Sequence, residues 1–496
     1  MCPSRKIQPD NHDQWPFLSL RDYLAYLDKN NRVIHIEKAV DAKLEIGAVS
    51  RKLFWEGSDS ACVFWNTTSS EPGWNVAPPY NVVVEGLHRR MSMFEEIFGV
   101  PKEAMYRNWC DKMTNLYDPV VVTQAPCKEV VLKGEDIDLQ KLPVELCGPR
   151  QGGPFITMGV CFLRHPDTAV ENVGVYRLHV KSKDHTGILI VPHQHSASIY
   201  AKYGRLGKPM PMAVAIGTDP LLPIVGAAPF PASLSELRGW GALQGQPMEM
   251  VECETSDLLV PAQAEYVLEG EVLLDVRDQE GPFGEYTGFY SGIRDLPVFK
   301  VKCITHRRNP MFQTVNIGKP PCEANHIVEM GYGLELTRAV REYLPEVTAV
   351  RSVSVNGLIT AIQIDKQRRY KGIAMRAGNM VWTMKSHVKQ VLVIDDDIDI
   401  WSNDDILWAF ATRCQAHKDV VIIPNVSGLR LDPSEPHGGE EGISCKLIVD
   451  CTEPFPPHHA PYMRGVALPD PEMMERVRKN WSEYVGTDLT SSGGSG

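Results

Sequence analysis

The chain has 496 residues and carries 62 acidic against 51 basic side chains, so its formal net charge is −11. A content of 43% hydrophobic and 23% charged residues is typical of a globular protein with about two to four domains. No apolar run approaches the roughly 18 residues that span a bilayer, and no basic block indicates nucleic-acid binding. The 12 cysteines form no Cys-x-x-Cys pair and residues 1–15 lack a signal-peptide core, so we expect a cytoplasmic protein with reduced thiols.

Hydrophobic periodicity predicts an N-terminal α/β domain over residues 1–118. Four stretches have apolar residues at helical spacing, and three are β-prone runs. The predicted helices cover 18–30, 44–55, 92–98 and 102–113, and the predicted strands cover 32–36, 62–65 and 80–84. The loop that begins near Pro119 sets the first domain boundary.

Residues 119–320 form the second predicted domain, in which short β-prone runs alternate with Gly, Pro and Asn turns. One helix is expected over 235–245, with Ser233 or Ser235 near its N-terminus. Many strands with little helix indicate a closed β-barrel or a wrapped sheet. The predicted strands cover 155–163, 171–180, 187–192, 211–216, 248–252, 265–274 and 299–305.

Residues 321–488 form a third predicted domain, an α/β unit with a mixed or parallel sheet, and the Ser/Gly-rich residues 489–496 are expected to be disordered. The acidic run from Asp395 to Asp399 is either a divalent metal cluster or a solvated cap of the next helix. The predicted helices cover 326–343, 372–383, 404–413 and 473–485, and the strands cover 349–355, 358–364 and 391–394.

Two carboxylates, Glu280 and Glu285, flank a Gly-Pro-Phe-Gly sequence that cannot continue a helix or a regular strand. We therefore expect both acids on a turn, where they can serve as an acid/base pair, although such turns are also common on solvated surfaces. Upstream, regular alternation would point Asn172, Gly174 and Tyr176 to one face of a strand. Arg177 would then lie on the apolar face, where it needs a carboxylate or a ligand anion as its partner.

Three polar residues offer the donor set of a cation site. Asn172 lies in a strand, His195 follows the next apolar strand, and Glu236 follows a Pro-rich loop. An amide oxygen, an imidazole nitrogen and a carboxylate suit Mn²⁺ or Mg²⁺, which can hold a phosphate. Each residue also has an ordinary alternative as a turn Asn, a core or surface His, or a helix-terminal Glu.

These motifs, in this order and at these separations, resemble those of the UbiD family of decarboxylases. The resemblance spans nearly the whole chain. Its motifs are Val40-Asp41-x3-Glu45, Asn172-x4-Arg177, Pro192-x-Gln194-His195, Leu234-Ser235-Glu236, Glu280-Gly-Pro-Phe-Gly-Glu285, Asp396-Asp397-Ile398-Asp399 and the run from Asp404 to Arg413.

The resemblance implies an α/β (α+β multidomain) fold, with a central split β-barrel that binds prenylated FMN between an N-terminal α/β domain and a C-terminal α/β dimerisation domain. It implies that Asn172, His195 and Glu236 ligate Mn²⁺ or Mg²⁺, with K⁺ near Ala227, and it makes the Asp395–Asp399 run structural. Lys385 is only a loose counterpart of the family's phosphate-side lysine. The matching cofactor-binding residues are Thr157, Asn172, Gly174, Val175, Tyr176, Arg177, Gln194, His195, Ala227 and Glu236.

The resemblance also implies a catalytic triad of Arg177, Glu280 and Glu285, and a reversible decarboxylation of an aromatic acid, phenolic or fused-ring acids included. The run 429–434 favours hydroxybenzoate-type substrates, with Leu429 and Leu431 flanking the ring. A flavin prenyltransferase would supply the cofactor, and a homodimer or a higher homo-oligomer is expected. The alternatives are decarboxylation of an α,β-unsaturated, cinnamate-type acid, hydrolysis by a cofactor-free carboxylate pair, and a non-catalytic assembly partner.

Overall fold

A computed structural model of the protein describes residues 7–192, 194–435, 442–455 and 466–485. The chain divides into two compact units, residues 1–452 and 453–496. The second unit contains helices that we label α12 (Pro471–Lys479) and α13 (Trp481–Val485), so the single helix predicted over 473–485 is wrong. The predicted disordered tail, 489–496, lies outside the described residues.

The first part of the large unit has the predicted α/β pattern. Its small sheet has the order β1-β3-β5-β18, in which β18 (Phe312–Gln313) comes from much later in the chain. Helix α1 packs Tyr23, Leu24 and Leu27 into the core, and the Ser19 side chain caps it by accepting the Asp22 N–H. The elements are α1 (Leu20–Lys29), β1 (Val33–Ile36), β2 (Val40–Asp41), α2 (Glu45–Trp55), β3 (Ala61–Phe64), β4 (Thr67–Thr68), β5 (Val83–Glu85), α3 (Met91–Phe98) and α4 (Lys102–Lys112).

The central part is built on one nine-stranded sheet with the path β10-β9-β13-β16-β17-β12-β11-β8, to which β7 adds by pairing with β17. This path is open, so the sheet is a half-barrel. The elements are β6 (Val120–Val121), β7 (Val130–Lys133), β8 (Phe155–Ile156), β9 (Val160–Arg164), β10 (Glu171–Val175), β11 (Leu178–Val180), β12 (His185–Ile188), α5 (His195–Arg205), β13 (Met210–Ile216), α6 (Leu222–Ala227), α7 (Glu236–Gln244), β14 (Glu249–Glu252), β15 (Leu259–Pro261), β16 (Tyr266–Glu280), β17 (Arg294–His306) and β18 (Phe312–Gln313).

Several local predictions in this part are wrong. The strand predicted over 155–163 is divided into β8 and β9, and the strand predicted over 187–192 lies at His185–Ile188 as β12. The strand predicted over 171–180 breaks at Tyr176 and Arg177, so the assumed alternation does not hold there. Strand β16 continues to Glu280 because it pairs with β17 as far as Arg294, so only Glu285 lies on the turn. Helix α5 was not predicted, because it buries only Ser196 and Ile199 and therefore has a weak apolar pattern.

The C-terminal part of the large unit is the predicted mixed sheet, with the order β19-β20-β21-β23-β22. The Asp395–Asp399 run is structural: Arg413 donates to both carboxylate oxygens of Asp397, at 2.8 and 2.9 Å. Within the described ranges, no helix is long and apolar enough to cross a membrane. The elements are α8 (Glu323–Arg341), β19 (Val347–Ser354), β20 (Ile359–Ile364), α9 (Ile373–Met384), β21 (Gln390–Asp395), α10 (Asn403–Arg413), α11 (Ala416–Asp419), β22 (Val420–Ser427) and β23 (Ile443–Asp450).

Candidate active site

A cavity of about 350 Å³, which we call the first cavity, lies where the half-barrel meets helix α8 and the C-terminal sheet. Every residue that the sequence predicted for the site lines it except Glu280, which lies behind Arg177. The predicted residues on its wall are Thr157, Asn172, Gly174, Val175, Tyr176, Arg177, Gln194, His195, Ala227, Glu236 and Glu285. The structure therefore brings together residues that lie more than 100 positions apart in the chain.

Arg177 joins the two predicted acids in one buried ion-pair cluster. Its Nε and Nη2 donate to the two oxygens of Glu280, at 2.7 and 2.9 Å, and its Nη1 donates to Glu285. The side chains of the three residues are 9%, 1% and 6% exposed, respectively. A bidentate pair fixes the guanidinium plane, so Glu280 sets the direction in which Arg177 faces the first cavity.

The turn that carries Glu285 is held from beneath by His179. Its Nδ1 accepts the Gly281 N–H at 3.3 Å, and its ring stacks on Phe155 with centroids 4.2 Å apart. Burial lowers the pKa of His179 to about 4, so the ring is neutral and can accept a hydrogen bond. Gly281 has φ +96°, a conformation that favours glycine. His179 was not predicted as a site residue, and a lone His on a buried strand carries no sequence signal for this role.

The cluster holds one positive charge and two acids away from water. Burial raises the pKa of the Glu285 carboxyl, and the charge of Arg177 and its hydrogen bond oppose that rise. Burial lowers the pKa of Arg177, but the charges of Glu285 and Glu280 outweigh this effect and raise it. The pKa of Glu285 therefore lies above its ordinary value, as expected from its burial.

The predicted cation ligands Asn172, His195 and Glu236 also line the first cavity, and two of them are hydrogen-bonded to each other. Asn172 Nδ2 donates to Glu236 Oε1 at 3.0 Å, and the Val173 N–H donates to Glu236 Oε2 at 2.9 Å. Ser235 caps helix α7 by accepting the Leu237 N–H, and this places Glu236 in the first turn. His195, at the start of helix α5, lines the same wall, and burial lowers its pKa, so that a neutral imidazole is available as a ligand.

Two observations on these residues fit a bound cation. Within the described part of the chain, Asn172 Oδ1 is buried without a hydrogen-bond partner. Burial raises the pKa of Glu236 to about 7, and a divalent cation would reverse this shift by stabilising the carboxylate. No group of three His, Cys, Asp or Glu side chains among the described residues could hold a metal, so a site here depends on the Asn172 amide.

The remaining predicted residues shape the floor of the first cavity. Thr157 Oγ1 donates to the Val315 carbonyl at 2.8 Å, which fixes its side chain. A Cβ on Gly174 would lie 2.7 Å from the Tyr176 ring, so a glycine is needed for that close approach. Gln194 Oε1 accepts the Val191 N–H at 3.2 Å and shapes the loop before helix α5.

Sequence analysis missed Tyr332 and His387 on the C-terminal wall, where they lie beside Lys385, the loose counterpart of the family's lysine. Burial lowers the pKa of Lys385 to about 8, and its Nζ lies 5.2 Å from the centroid of the Tyr332 ring. The Tyr332 hydroxyl and His387 Nδ1 are 3.0 Å apart. The only sequence signal for His387 was its position two residues after Lys385, directly after the helix predicted over 372–383. Leu429 and Leu431 line the same wall.

The sequence matches three domain families that together cover most of the chain. Residues 24–113 match the N-terminal domain of 3-octaprenyl-4-hydroxybenzoate carboxy-lyase, residues 120–320 match its Rift-related domain, and residues 325–451 match its C-terminal domain. The sequence is 32% identical to a phenolic acid decarboxylase of Bacillus subtilis (strain 168), over 89% of this chain and 93% of that protein. It is also 32% identical to a phenolic acid decarboxylase of Sedimentibacter hydroxybenzoicus, over 92% of this chain and 95% of that protein.

Solved structures match over a similar length. The UbiD-class enzyme HmfF from Pelotomaculum thermopropionicum, in complex with FMN, is 33% identical and superposes with a TM-score of 0.80 over 92% of this chain and 98% of that chain. The vanillic acid decarboxylase of Sedimentibacter hydroxybenzoicus, in closed form, is 30% identical, with a TM-score of 0.83 over 95% of this chain and 99% of that chain. The chain therefore belongs to the UbiD family of carboxy-lyases.

Proposed function

We propose that the protein catalyses the reversible, non-oxidative decarboxylation of an aromatic carboxylic acid, phenolic or fused-ring acids included, with prenylated FMN as its cofactor. The observation that carries this proposal is the buried Arg177–Glu280–Glu285 cluster, which shares one cavity with Asn172, His195 and Glu236. The curated relatives named phenolic acid decarboxylases support an aromatic substrate.

Arg177 binds the substrate carboxylate in this proposal. Its Cζ lies 4.7 Å from the centroid of the Phe283 ring, so one face of the guanidinium is covered while its Nη1 side reaches the first cavity. Glu280 accepts hydrogen bonds from the other two guanidinium nitrogens, Nε and Nη2, and so keeps the guanidinium in this orientation. A bound carboxylate would then compete with Glu285 for Nη1, which frees the Glu285 carboxyl to act.

Glu285 donates the proton that replaces CO₂. With the substrate carboxylate present, three acids would face one guanidinium, and a buried excess of negative charge is unfavourable. Protonation of Glu285 relieves this excess and follows the direction of its pKa shift. The same group can take the proton back in the reverse, carboxylating direction.

When bound, prenylated FMN supplies an electron sink for the carbanion character that develops as CO₂ leaves. Asn172, His195 and Glu236 would hold Mn²⁺ or Mg²⁺ at the cofactor phosphate, and K⁺ would lie near Ala227. The HmfF structures that match this chain contain FMN and prFMN. Thr157, Gly174, Val175, Tyr176 and Gln194 are proposed to contact the flavin.

Substrate choice and assembly are the finer parts of the proposal. Leu429 and Leu431 are proposed to pack against the ring of the substrate, since both lie on the wall opposite the half-barrel. A flavin prenyltransferase would supply the cofactor, and residues 321–488 would mediate homodimerisation or higher assembly. The three domains are proposed to span 1–118, 119–320 and 321–488.

The test is co-production with a flavin prenyltransferase, followed by an absorption spectrum, the mass of the released ligand and a screen of aromatic acids for CO₂ release. The proposal expects a ligand heavier than FMN by one dimethylallyl-derived unit, together with release of CO₂ from at least one hydroxybenzoate. Protein that binds no flavin, or that turns over only cinnamate-type acids, would contradict the proposal as stated.

A further inference from the structure

A second cavity, of about 400 Å³, lies between helices α3, α4 and α8, away from the residues proposed for catalysis. Its wall is aromatic on one side, where the rings of Tyr106 and Trp401 stack with centroids 5.0 Å apart. Met330 and Leu334 of α8 add apolar surface. A cavity of this size and lining is typical of small-molecule sites.

Three arginines line this second cavity, and two of them, Arg351 and Arg90, have incomplete pairing. Arg351 Nη1 donates to the Ile400 carbonyl at 2.7 Å, and Arg90 Nη2 donates to the Phe54 carbonyl at 2.5 Å. Within the described residues, Arg90 Nε is buried and makes no hydrogen bond. Burial lowers the pKa of both guanidinium groups, so nearby carboxylates do not compensate for the hydration that the two groups lose. An anion would supply the missing compensation.

The net charge of the side chains that line the second cavity stays positive when the other titratable groups are included. Arg89 also lines the second cavity, but its Nη1 donates to the Ser60 carbonyl at 2.7 Å. Burial lowers the pKa of His326 to about 4, which makes it neutral. Burial raises the pKa of Glu329 to about 7, so this one acid is partly protonated at neutral pH. The lining therefore favours a ligand with negative charge.

Helix α8 separates the second cavity from the first. Its residues alternate between the two cavities at helical spacing: Ala324, Val328 and Tyr332 line the first, and Asn325, Glu329 and Gly333 line the second. A Cβ on Gly331 would lie 2.3 Å from the Ile224 carbonyl oxygen, so the helix packs tightly against α6. A small movement of α8 would therefore change both cavities.

Hydrogen bonds also connect the two cavities directly. Asn325 Nδ2 donates to Asn356 Oδ1 at 2.7 Å and to the Tyr286 carbonyl at 3.4 Å. Glu329 Oε1 accepts the Asn356 N–H at 3.3 Å. Asn356 and Tyr286 line the first cavity, and Tyr286 directly follows Glu285. A ligand that contacts Asn325 is thus one hydrogen bond and one peptide bond from Glu285, the proposed proton donor, and Glu329 joins the same path through Asn356.

We propose that the second cavity binds a small aromatic anion, a single ring that carries a carboxylate or a phosphate, and that its occupancy changes turnover in the first cavity. The acidic group pairs with Arg351 and Arg90, and the ring contacts the Tyr106–Trp401 wall. Binding at this site is measured directly, so its test stands apart from the test of the proposed reaction.

The test titrates benzoate, and in parallel phenyl phosphate, into flavin-loaded protein in equilibrium dialysis, with inorganic phosphate as the non-aromatic control. Wild type is expected to bind two equivalents of one aromatic probe, and Arg351→Met is expected to lose one of them through a rise in Kd of about tenfold to hundredfold. Arg351→Lys keeps the charge and is expected to restore part of the affinity. Turnover without the probe is expected to stay within about twofold of wild type in both variants.

A kinetic readout tests the coupling between the cavities. The probe that binds is expected to change kcat in wild type and to leave kcat unchanged in Arg351→Met. If Arg351→Met folds poorly, Arg90→Met provides the same test at the other arginine that the proposal names. A single equivalent in wild type that Arg351→Met retains, or unchanged affinity in both methionine variants, would overturn the proposal. Failure of the proposed reaction would be visible separately, as the absence of CO₂ release from every aromatic acid screened, whatever the number of equivalents bound.

Discussion

Replacing Glu285 by glutamine tests the proposed proton donor with little change in shape. The amide cannot give up a proton at neutral pH, while its oxygen can still accept from Arg177 Nη1. Arg177 keeps both of its bonds to Glu280, at 2.7 and 2.9 Å, so the fold and the carboxylate site are expected to remain. A positioned proton donor contributes about 10²- to 10⁴-fold, which corresponds to about 3 to 5 kcal/mol of barrier.

We therefore expect kcat of Glu285→Gln to fall by about 10²- to 10⁴-fold while KM changes only a few-fold. The assay is CO₂ release by flavin-loaded protein, with the flavin content measured from the absorption spectrum and the free energy of unfolding from urea titration. Glu280→Gln is the matched control. The Glu280→Gln substitution weakens the bidentate ion pair that orients Arg177, so we expect it to raise KM in addition to any effect on kcat.

The pH dependence gives a second measurement on the same residue. A proton donor must be protonated, so kcat is expected to fall as pH rises through the pKa of Glu285, and burial places that pKa above the ordinary value of 4.5. Glu285→Gln should lose this limb of the profile. Retention of more than about a tenth of wild-type kcat by fully loaded Glu285→Gln, with the limb unchanged, would refute the assignment.

Three further predictions concern the supports of the site. Mn²⁺ at about 100 times its Kd is expected to stabilise the wild type by about 2.7 kcal/mol in thermal unfolding, and Glu236→Gln should abolish this gain. His179→Phe keeps the stack on Phe155 but leaves the Gly281 N–H without its acceptor, so kcat should fall about tenfold at unchanged flavin content. Lys385→Met should weaken flavin binding. The affinity of the wild type for flavin should also decline above about pH 8, where Lys385 loses its charge. An unchanged Kd for flavin in either titration would exclude a role for Lys385.

Most secondary-structure elements were predictable because each has its own periodic pattern. Helix α1 was predicted from apolar residues that recur at helical spacing, and it lies at Leu20–Lys29. Helix α7 was predicted with Ser235 near its N-terminus, and Ser235 is its cap. Where a pattern is weak the prediction fails, as for helix α5, which buries only Ser196 and Ile199.

Residues of the candidate site were predictable to the extent that they lie in motifs with an unusual residue type. Arg177 stood out because an arginine on an apolar strand needs a partner, and Glu280 is that partner. Glu280 was expected on the turn but ends strand β16, since pairing with β17 extends that strand. Pairing across the sheet depends on residues that are distant in the chain, so the local sequence did not indicate it.

The sequence by itself determined the family, most of the elements and the residue types that can perform the chemistry, because these depend on local patterns and ordered motifs. Only the tertiary structure decided that Glu280 is buried behind Arg177, that His179 supports the turn, and that helix α8 separates two cavities. These features arise from contacts between segments that are far apart in the chain. Burial in those contacts raises the pKa of Glu285, and the charge of Arg177 opposes that rise.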